Sequence, residues 1–321
     1  MKKHSLSAIA AAAALLFSVP LTAAADSVSI DGAVLSYSEV SGYDRLITGD
    51  ITAAAAINGS PEHGAEISIP AVFEANDKKY ITAELGDSAF MGYMDVLSIT
   101  LPEGLQKVGS SVFAGCLSLE SITIPSSVNS FGTNVFMSCT ALKTADLGGD
   151  DSSLTVIPEG CFSSCTALEY VHIPDSVTAI GKEAFFGCSS LTQITIPSSV
   201  RYIGENAVGM KYDIRSGTVE PVDDFLIFGK TGSAANLYAR SSGIEFLDLS
   251  VNEPGDVNRD GLVDSVDASA VLSEYALLAT GESGTFTAAQ RFLADINSDG
   301  EINSLDASDI LIVYAERATS R

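Results

Sequence analysis

Residues 183–197 read EAFFGCSSLTQITIP, one of five similar segments that follow one another along the chain. The others are SAFMGYMDVLSITLP (88–102), SVFAGCLSLESITIP (111–125), NVFMSCTALKTADLG (134–148) and GCFSSCTALEYVHIP (160–174). Their shared phenylalanines lie 23, 23, 26 and 23 residues apart, with three extra residues around 149–152. Apolar and polar residues alternate in the second half of each segment, as in a strand with one buried face. A unit this small cannot bury its apolar side alone, so the repeat predicts a solenoid with a parallel sheet along one side.

The composition restricts the functions that the chain can have. Its 321 residues include 41 acidic and 17 basic side chains, so the formal net charge is −24. The length suggests about two domains, and an apolar fraction of 46% is too high for a disordered acidic protein. The excess of negative charge argues against binding to nucleic acid or to anionic membranes, and is compatible with cation binding.

The first 25 residues have the pattern of a secretory signal peptide. Lys2 and Lys3 precede an apolar run at 8–21, and three alanines at 23–25 form a small-residue cleavage site. We therefore expect a mature chain that begins near Asp26 and works outside the cell. A retained anchor helix is the alternative, which the shortness of the apolar run disfavours.

The cysteines and histidines fit no catalytic or zinc motif. Four cysteines occupy one column of the repeat (Cys116, Cys139, Cys165 and Cys188), and Cys161 stands apart. Column neighbours could form disulfides, but we favour a buried ladder of small side chains. After the signal segment only His63 and His172 remain, so a catalytic triad or a carboxylate pair stays an alternative without a motif to support it.

Three outward-facing positions on the predicted sheet differ from their neighbours. Most outward positions carry Ser or Thr, whereas adjacent repeats carry Asp146, Tyr170 and His172. This departure indicates a possible ligand patch on the sheet face. Ordinary variation of an exposed surface would produce the same pattern.

Two twelve-residue stretches near the carboxyl terminus indicate calcium binding. Residues 256–267 read DVNRDGLVDSVD and residues 295–306 read DINSDGEINSLD. Acid or amide residues occupy positions 1, 3, 5 and 9, Gly occupies position 6, and a carboxylate closes position 12, which is the ligand pattern of an EF-hand loop. The predicted ligands of two Ca²⁺ ions are Asp256, Asn258, Asp260, the Leu262 carbonyl, Asp264 and Asp267, and Asp295, Asn297, Asp299, the Glu301 carbonyl, Asn303 and Asp306. Turn-rich loops without metal are the alternative.

A helical pattern follows each of these loops. The apolar residues expected on one helix face are Val271, Leu272 and Tyr275 in the first, and Ile310, Leu311 and Tyr314 in the second. So small a module has a marginal core, and its ligand carboxylates repel one another without metal. Calcium is therefore expected to supply much of its folding free energy.

The repeat unit AFxGCxxLxxIxIPxSVxxIG resembles the BspA-like class of bacterial leucine-rich repeats. The resemblance implies an α/β leucine-rich-repeat solenoid over residues 80–213, with an amino-terminal cap at 26–79 and a carboxyl-terminal cap at 214–249. Residues 225–249 are expected to form strand, helix and strand. Such proteins are secreted or lie on the cell surface and are scaffolds for binding, so the resemblance implies a ligand without naming it.

The duplicated acidic loops, each followed by a helix, resemble a type I dockerin. The resemblance implies a small all-α calcium-binding module at 256–321, with two EF-hand-like loop-helix repeats, after a short linker at 250–255. It also implies a cohesin partner on a scaffold protein. The contacts it implies are Ser265, Val266, Leu272, Ser273, Ser304, Leu305, Leu311 and Ile312. Position 11 is apolar here instead of Ser or Thr, which leaves the cohesin type open.

These resemblances predict a secreted, non-catalytic cellulosome component. Its dockerin would bind a cohesin when calcium is present, and its repeats would bind a protein or polysaccharide during plant polysaccharide degradation. A scaffold-docked hydrolase, or a cell-surface adhesion or proteinase-control protein, are the alternatives.

Overall fold

The structure is a computed structural model that describes residues 26–30, 33–43, 46, 53–62 and 66–319. The predicted signal peptide and His63 lie outside the described residues. Among the described residues, no helix combines the length and the apolar character needed to cross a bilayer.

Short strands make up most of the regular structure. The amino-terminal strands are β1 (Asp26–Ile30), β2 (Ala33–Val40), β3 (Ala53–Glu62), β4 (Glu66–Ser68), β5 (Val72–Ala75) and β6 (Lys78–Leu85). The repeats contribute β7 (Ser98–Thr100), β8 (Lys107–Val108), β9 (Ser121–Thr123), β10 (Ser130–Phe131), β11 (Thr144–Asp146), β12 (Val156–Ile157), β13 (Tyr170–Val171), β14 (Ala179–Ile180), β15 (Gln193–Thr195) and β16 (Tyr202–Ile203). The last strands are β17 (Met210–Asp213), β18 (Thr218–Pro221), β19 (Leu226–Phe228) and β20 (Glu245–Leu247).

Helices are concentrated at the carboxyl-terminal end of the described chain. They are α1 (Ala234–Ser242), α2 (Ser265–Ala279), α3 (Ala288–Ala294) and α4 (Ser304–Thr319). A single 3-10 turn (Gly149–Asp151) accommodates the three-residue insertion between repeats.

The predicted parallel sheet runs along one side of the solenoid, which confirms the expected fold class. Its parallel pairs are β4 with β7, β11 with both β9 and β13, and β19 with both β15 and β20. In most three-residue strands of the repeats the central residue is buried and its neighbours are exposed. This alternation places the Ser- and Thr-rich positions on an exposed face.

A second parallel ladder, which the sequence analysis did not predict, runs along another side. It pairs β6, β8 and β10, and then β12, β14 and β16. A glycine follows most of its strands because successive turns stack there with almost no space between them. A Cβ atom on Gly132, Gly181 or Gly204 would lie 2.3, 2.5 or 2.4 Å from a backbone nitrogen of the preceding turn. Glycine is therefore required after the isoleucine of the repeat, because the backbones of successive turns approach closely there.

Stacked aromatic rings form the centre of the core. The five repeat phenylalanines are buried, and consecutive ring centroids lie 5.1 to 5.9 Å apart with nearly parallel planes. The four column cysteines lie beside them, and each thiol donates a hydrogen bond to the phenylalanine carbonyl of the preceding repeat, as Cys139 does to Phe113 at 3.0 Å. All five cysteines are free and buried, which favours the buried ladder over disulfides.

The carboxyl-terminal cap has the expected order of strand, helix and strand: β19, α1 and β20. Ser233 caps the start of α1 by accepting from the Asn236 amide, and Gly243 ends it in a left-handed conformation. The Tyr238 hydroxyl donates to the Val208 carbonyl at 2.8 Å and accepts from the Val208 amide at 3.0 Å. Helix α1 is thereby fixed to the last repeat.

Candidate functional site

The first acidic loop is organised by hydrogen bonds from its own backbone. The Asp256 carboxylate accepts from the amides of Asp260 and Gly261, at 3.1 and 2.9 Å. The Asn258 carbonyl oxygen accepts from the Asp260 amide at 2.8 Å, and the Asp260 carboxylate accepts from Leu262 at 3.0 Å. Gly261 has a φ of 90°, so it makes the sharp turn that position 6 requires.

The second acidic loop repeats this arrangement position by position. The Asp295 carboxylate accepts from the amides of Asp299 and Gly300, both at 3.0 Å. Asn297 and Asp299 repeat the contacts of their counterparts at 2.8 Å each, and Gly300 has a φ of 84°. Because two segments 39 residues apart adopt the same bonding pattern, the resemblance between the loops extends from sequence to geometry.

The two closing carboxylates differ from each other. Asp267 is buried, and its carboxylate accepts from the amides of Val257, Asn258 and Asp264 at 2.9, 3.1 and 3.0 Å. Asp306 is equally buried, but only its Oδ2 atom has a partner, the Asn303 amide at 3.0 Å. Its Oδ1 atom is buried without a hydrogen bond to any described residue.

The donor set of both loops suits calcium. Carboxylate, side-chain amide and backbone carbonyl oxygens are the hard ligands that Ca²⁺ selects, and neither loop offers nitrogen or sulfur ligands. The unpartnered Oδ1 of Asp306 is an anionic atom that a cation would satisfy. Within the described residues, no three His, Cys, Asp or Glu side chains are already grouped closely enough to hold a metal.

Helices α2 and α4 follow the two loops and pack against each other. Asp264 caps α2 by accepting from the Val266 amide, and Asp267 completes a capping box. The buried residues between the helices include Ala268, Val271, Ala307 and Ile310. Of the apolar residues expected on one face of each helix, Val271 and Ile310 are buried, whereas Leu272, Tyr275, Leu311 and Tyr314 are exposed. With only two long helices in the module, each buries a single narrow stripe.

All eight predicted partner contacts lie at exposed positions. The exposed residues are Ser265, Val266, Leu272, Ser273, Ser304, Leu305, Leu311 and Ile312. The apolar members are conspicuous for a surface, since 57% of Val266 and 61% of Leu305 are accessible. Exposed apolar side chains of this number are typical of an interaction surface.

Helix α3 is an element of the carboxyl-terminal module that the sequence did not predict. The segment before it folds back onto α2, where the buried Glu274 carboxylate accepts from the Thr285 amide and hydroxyl and from the Phe286 amide at 2.8 to 3.1 Å. Burial raises the pKa of Glu274, but these hydrogen bonds and the nearby Arg291 outweigh it and lower the pKa overall. Thr287 and Gln290 form a capping box at the start of α3, and this T-x-x-Q pattern was the signal available in the sequence.

The possible ligand patch on the sheet is only partly free. Asp146 is exposed, but its Oδ1 accepts from the amides of Gly148 and Gly149, both at 3.0 Å, and so holds the turn of the insertion. The His172 Nε2 atom lies 3.5 Å from the Asp150 carboxylate of the same insertion. Tyr170 is largely exposed and has Thr144 as its strand partner. Asp146 and His172 thus both contact the insertion, whereas Tyr170 does not share these contacts.

Several solved leucine-rich repeat structures are similar to this chain. A leucine rich cell surface protein from Faecalibacterium prausnitzii is 23% identical with a TM-score of 0.40, over 66% of each chain. A leucine rich repeat protein from T. pallidum is 22% identical with a TM-score of 0.40, over 53% of this chain and 83% of its own. One from Eubacterium ventriosum is 22% identical with a TM-score of 0.39, over 57% of this chain and 49% of its own. No curated protein matches the sequence.

Two sequence families match the chain. The BspA type leucine rich repeat region matches residues 83–214 in six copies, and the dockerin type I domain matches residues 254–314. Both are typical of extracellular proteins. Leucine-rich repeats are protein-interaction modules, and dockerins of type I are generally calcium-binding modules with a cohesin partner. Residues 83–214 are therefore similar to the BspA type leucine rich repeat region, and residues 254–314 are similar to the dockerin type I domain.

Proposed function

We propose that the chain is an exported, non-catalytic component of a cellulosome. Its dockerin binds a cohesin module of a scaffold protein when calcium is present, and its repeats bind a protein or a polysaccharide during polysaccharide degradation. The observation that carries this proposal is the duplicated acidic loop, with one hydrogen-bond pattern in both copies, within the dockerin match. Export would follow from removal of residues 1–25 as a signal peptide.

Two calcium ions would be held by the oxygen atoms that the loop sequences place at ligand positions. The proposed ligands are Asp256, Asn258, Asp260, Leu262, Asp264 and Asp267, and Asp295, Asn297, Asp299, Glu301, Asn303 and Asp306. Leu262 and Glu301 contribute backbone carbonyls, and the other residues contribute side-chain oxygens. Calcium would neutralise clustered carboxylates in a module whose buried core is small, so binding and folding free energy are linked.

The cohesin would bind across exposed residues of α2 and α4. The exposed Val266, Leu272, Leu305, Leu311 and Ile312 supply the apolar centre that a specific interface needs. Ser265, Ser273 and Ser304 supply hydroxyl groups beside it. Burial of this surface by a partner would remove exposed apolar area from an otherwise acidic module.

The sheet face of the solenoid is the proposed binding surface for the second ligand. Asp146, Tyr170 and His172 form the candidate patch, in which the exposed Tyr170 ring offers a flat apolar contact for a sugar or a peptide. Incubation of the full-length protein with plant polysaccharides and peptides should give no hydrolysis. Turnover would contradict the non-catalytic assignment.

Capture of the full-length protein on immobilised type I cohesins tests the docking function. We expect capture in calcium and release in a chelator, and we expect the Asp256→Ala, Asp295→Ala double variant to bind at least about tenfold more weakly, by loss of the first ligand of each loop. The matched control is the Glu282→Ala, Asp309→Ala double variant, which removes the same charge from the module at positions outside the ligand pattern. Equal capture of both variants, or capture unaffected by the chelator, would contradict the proposal.

A further inference from the structure

The sheet face of the solenoid changes character at its last strands. The outward positions of β15, Gln193 and Thr195, are exposed. Their register partners in β19, Leu226 and Phe228, are apolar and only 3% and 7% exposed. An apolar end on a polar face needs a cover, and the dockerin supplies it.

Helix α3 of the dockerin is that cover. Leu226, Phe228 and Leu247 of the repeat domain form one buried cluster with Ala289 and Leu293 of α3, both fully buried. The ring of Phe292 packs edge-on against Phe228, with centroids 4.7 Å apart. The cluster joins two domains that the sequence places on either side of a linker.

Charged contacts surround this apolar cluster. Glu245 of β20 accepts from the Arg259 guanidinium at 2.9 Å, from the Thr287 hydroxyl at 2.6 Å and from the Ala289 amide at 3.2 Å. Arg259 is position 4 of the first calcium loop, whereas Thr287 and Ala289 lie at the start of α3. A single carboxylate of the repeat domain therefore holds both the first loop and α3. An ion pair between Arg291 and Asp224, at 2.6 Å, adds a further tie.

The same helix contacts the residue before the first loop and leads directly into the second loop. The Leu293 carbonyl accepts from the Gly255 amide at 2.8 Å, and Gly255 immediately precedes Asp256. Helix α3 ends at Ala294, so Asp295 follows it without an intervening residue. Asp256 and Asp295 are therefore each one residue from a residue of α3 or a residue bonded to it. A change in either loop on ion binding can thus be transmitted to α3.

The connecting segment does not separate the domains. Asp248 follows β20 and accepts from the Ser250 amide and hydroxyl at 2.9 and 2.5 Å, and from the Thr231 amide at 2.6 Å. Further along the same segment, the Glu253 carboxylate forms an ion pair with Arg317 at the end of α4. The expected linker at 250–255 is therefore an ordered turn with bonds on both sides.

We propose that the dockerin is the terminal cap of the repeat sheet, and that calcium binding in its loops stabilises the last strands of the solenoid through α3. The proposal rests on the calcium binding proposed above. The predicted cohesin contacts on α2 and α4 remain exposed beside the covered helix, so a docked scaffold holds the sheet face in one orientation.

Hydrogen–deuterium exchange on the full-length protein tests this coupling. Calcium should slow exchange of the cap peptides, which cover 226–228 and 245–247, by at least about tenfold relative to a chelator. Peptides covering 121–123 and 144–146 should exchange at the same rate in both conditions. Leu293→Asp should abolish the calcium effect at the two cap peptides. Leu278→Asp, at an exposed position of α2, should retain it.

A milder variant and a binding measurement keep the outcomes distinct. Glu245→Gln should reduce the calcium effect on exchange of the cap peptides and leave exchange of the internal repeat peptides unchanged. Calorimetry on the same samples reports calcium binding itself. If calcium binds and the cap peptides exchange at one rate with or without it, the coupling is refuted while the docking function stands. If no calcium binds, the proposed function fails as well.

Discussion

Substitution of Asp306 by Asn should change calcium-dependent stability and metal-free stability in opposite directions. Asp306 is 0% exposed, and its Oδ1 atom has no hydrogen-bond partner among the described residues. An unsatisfied buried polar group costs about 1–3 kcal/mol, and more when it is charged. Asn keeps the size of the side chain and an acceptor for the Asn303 amide while removing the charge. Without metal, the variant should therefore be as stable as the parent or up to about 1–3 kcal/mol more stable.

Calcium should reverse that order. A ligand present at about 100 times its dissociation constant stabilises the folded state by about 2.7 kcal/mol. Loss of groups that only orient a metal ligand weakens binding by about 10–100-fold, and loss of the closing carboxylate itself should cost at least the upper value. A hundredfold loss at the same calcium concentration leaves only about 0.4 kcal/mol of stabilisation.

The assay is chemical denaturation of the full-length protein in a chelator and in excess calcium. Asp309→Asn is the matched control, because it removes the same charge from the same helix three residues later. Asp267→Asn should behave differently from Asp306→Asn, since Asp267 accepts three amide hydrogen bonds and its replacement should destabilise the metal-free protein. The reasoning is refuted if Asp306→Asn lowers metal-free stability and leaves the calcium increment intact.

Three further predictions concern the rest of the molecule. Gly181→Ala places a Cβ atom 2.5 Å from the Glu159 nitrogen and should cost about 1–3 kcal/mol, so an unshifted urea midpoint would contradict the tight stacking. Burial raises the pKa of the Cys188 thiol to about 12, and all five thiols should react with maleimide only after denaturation, as mass spectrometry of labelled protein can check. The Ser250 hydroxyl and backbone amides lower the pKa of Asp248, so its stabilisation is complete at neutral pH and is lost as pH falls below about 4. Asp248→Asn should flatten the dependence of melting temperature on pH in that acidic range, and an unchanged profile would argue against this role.

The sequence predicted the features that repeat. The phenylalanine ladder and the two acidic loops recur at fixed offsets, so each copy supports the interpretation of the others. The burial of Cys116, Cys139, Cys165 and Cys188 was predicted in the same way, because they share one position of the repeat. These features are local, because each side chain contacts its equivalent in the neighbouring turn or the backbone of its own loop.

The sequence did not predict the features that depend on distant residues. Strands of two residues, such as β12, are too short to display an alternating pattern. Helix α3 has only seven residues, and its apolar side chain Phe292 packs against Phe228, which is distant in the sequence. The junction between the domains was missed for the same reason.

Successive turns of the solenoid stack in the same way, with a glycine at the close approach of their backbones, so the number of turns can change. Each turn packs against its neighbours, and the apolar cluster that joins the dockerin to the solenoid lies at β19 and β20. Duplication or deletion of whole 23-residue units in the interior would lengthen or shorten the binding face in steps of about 4.8 Å without altering either end. A lineage of such proteins could thus change its reach from a common scaffold while keeping the same anchor.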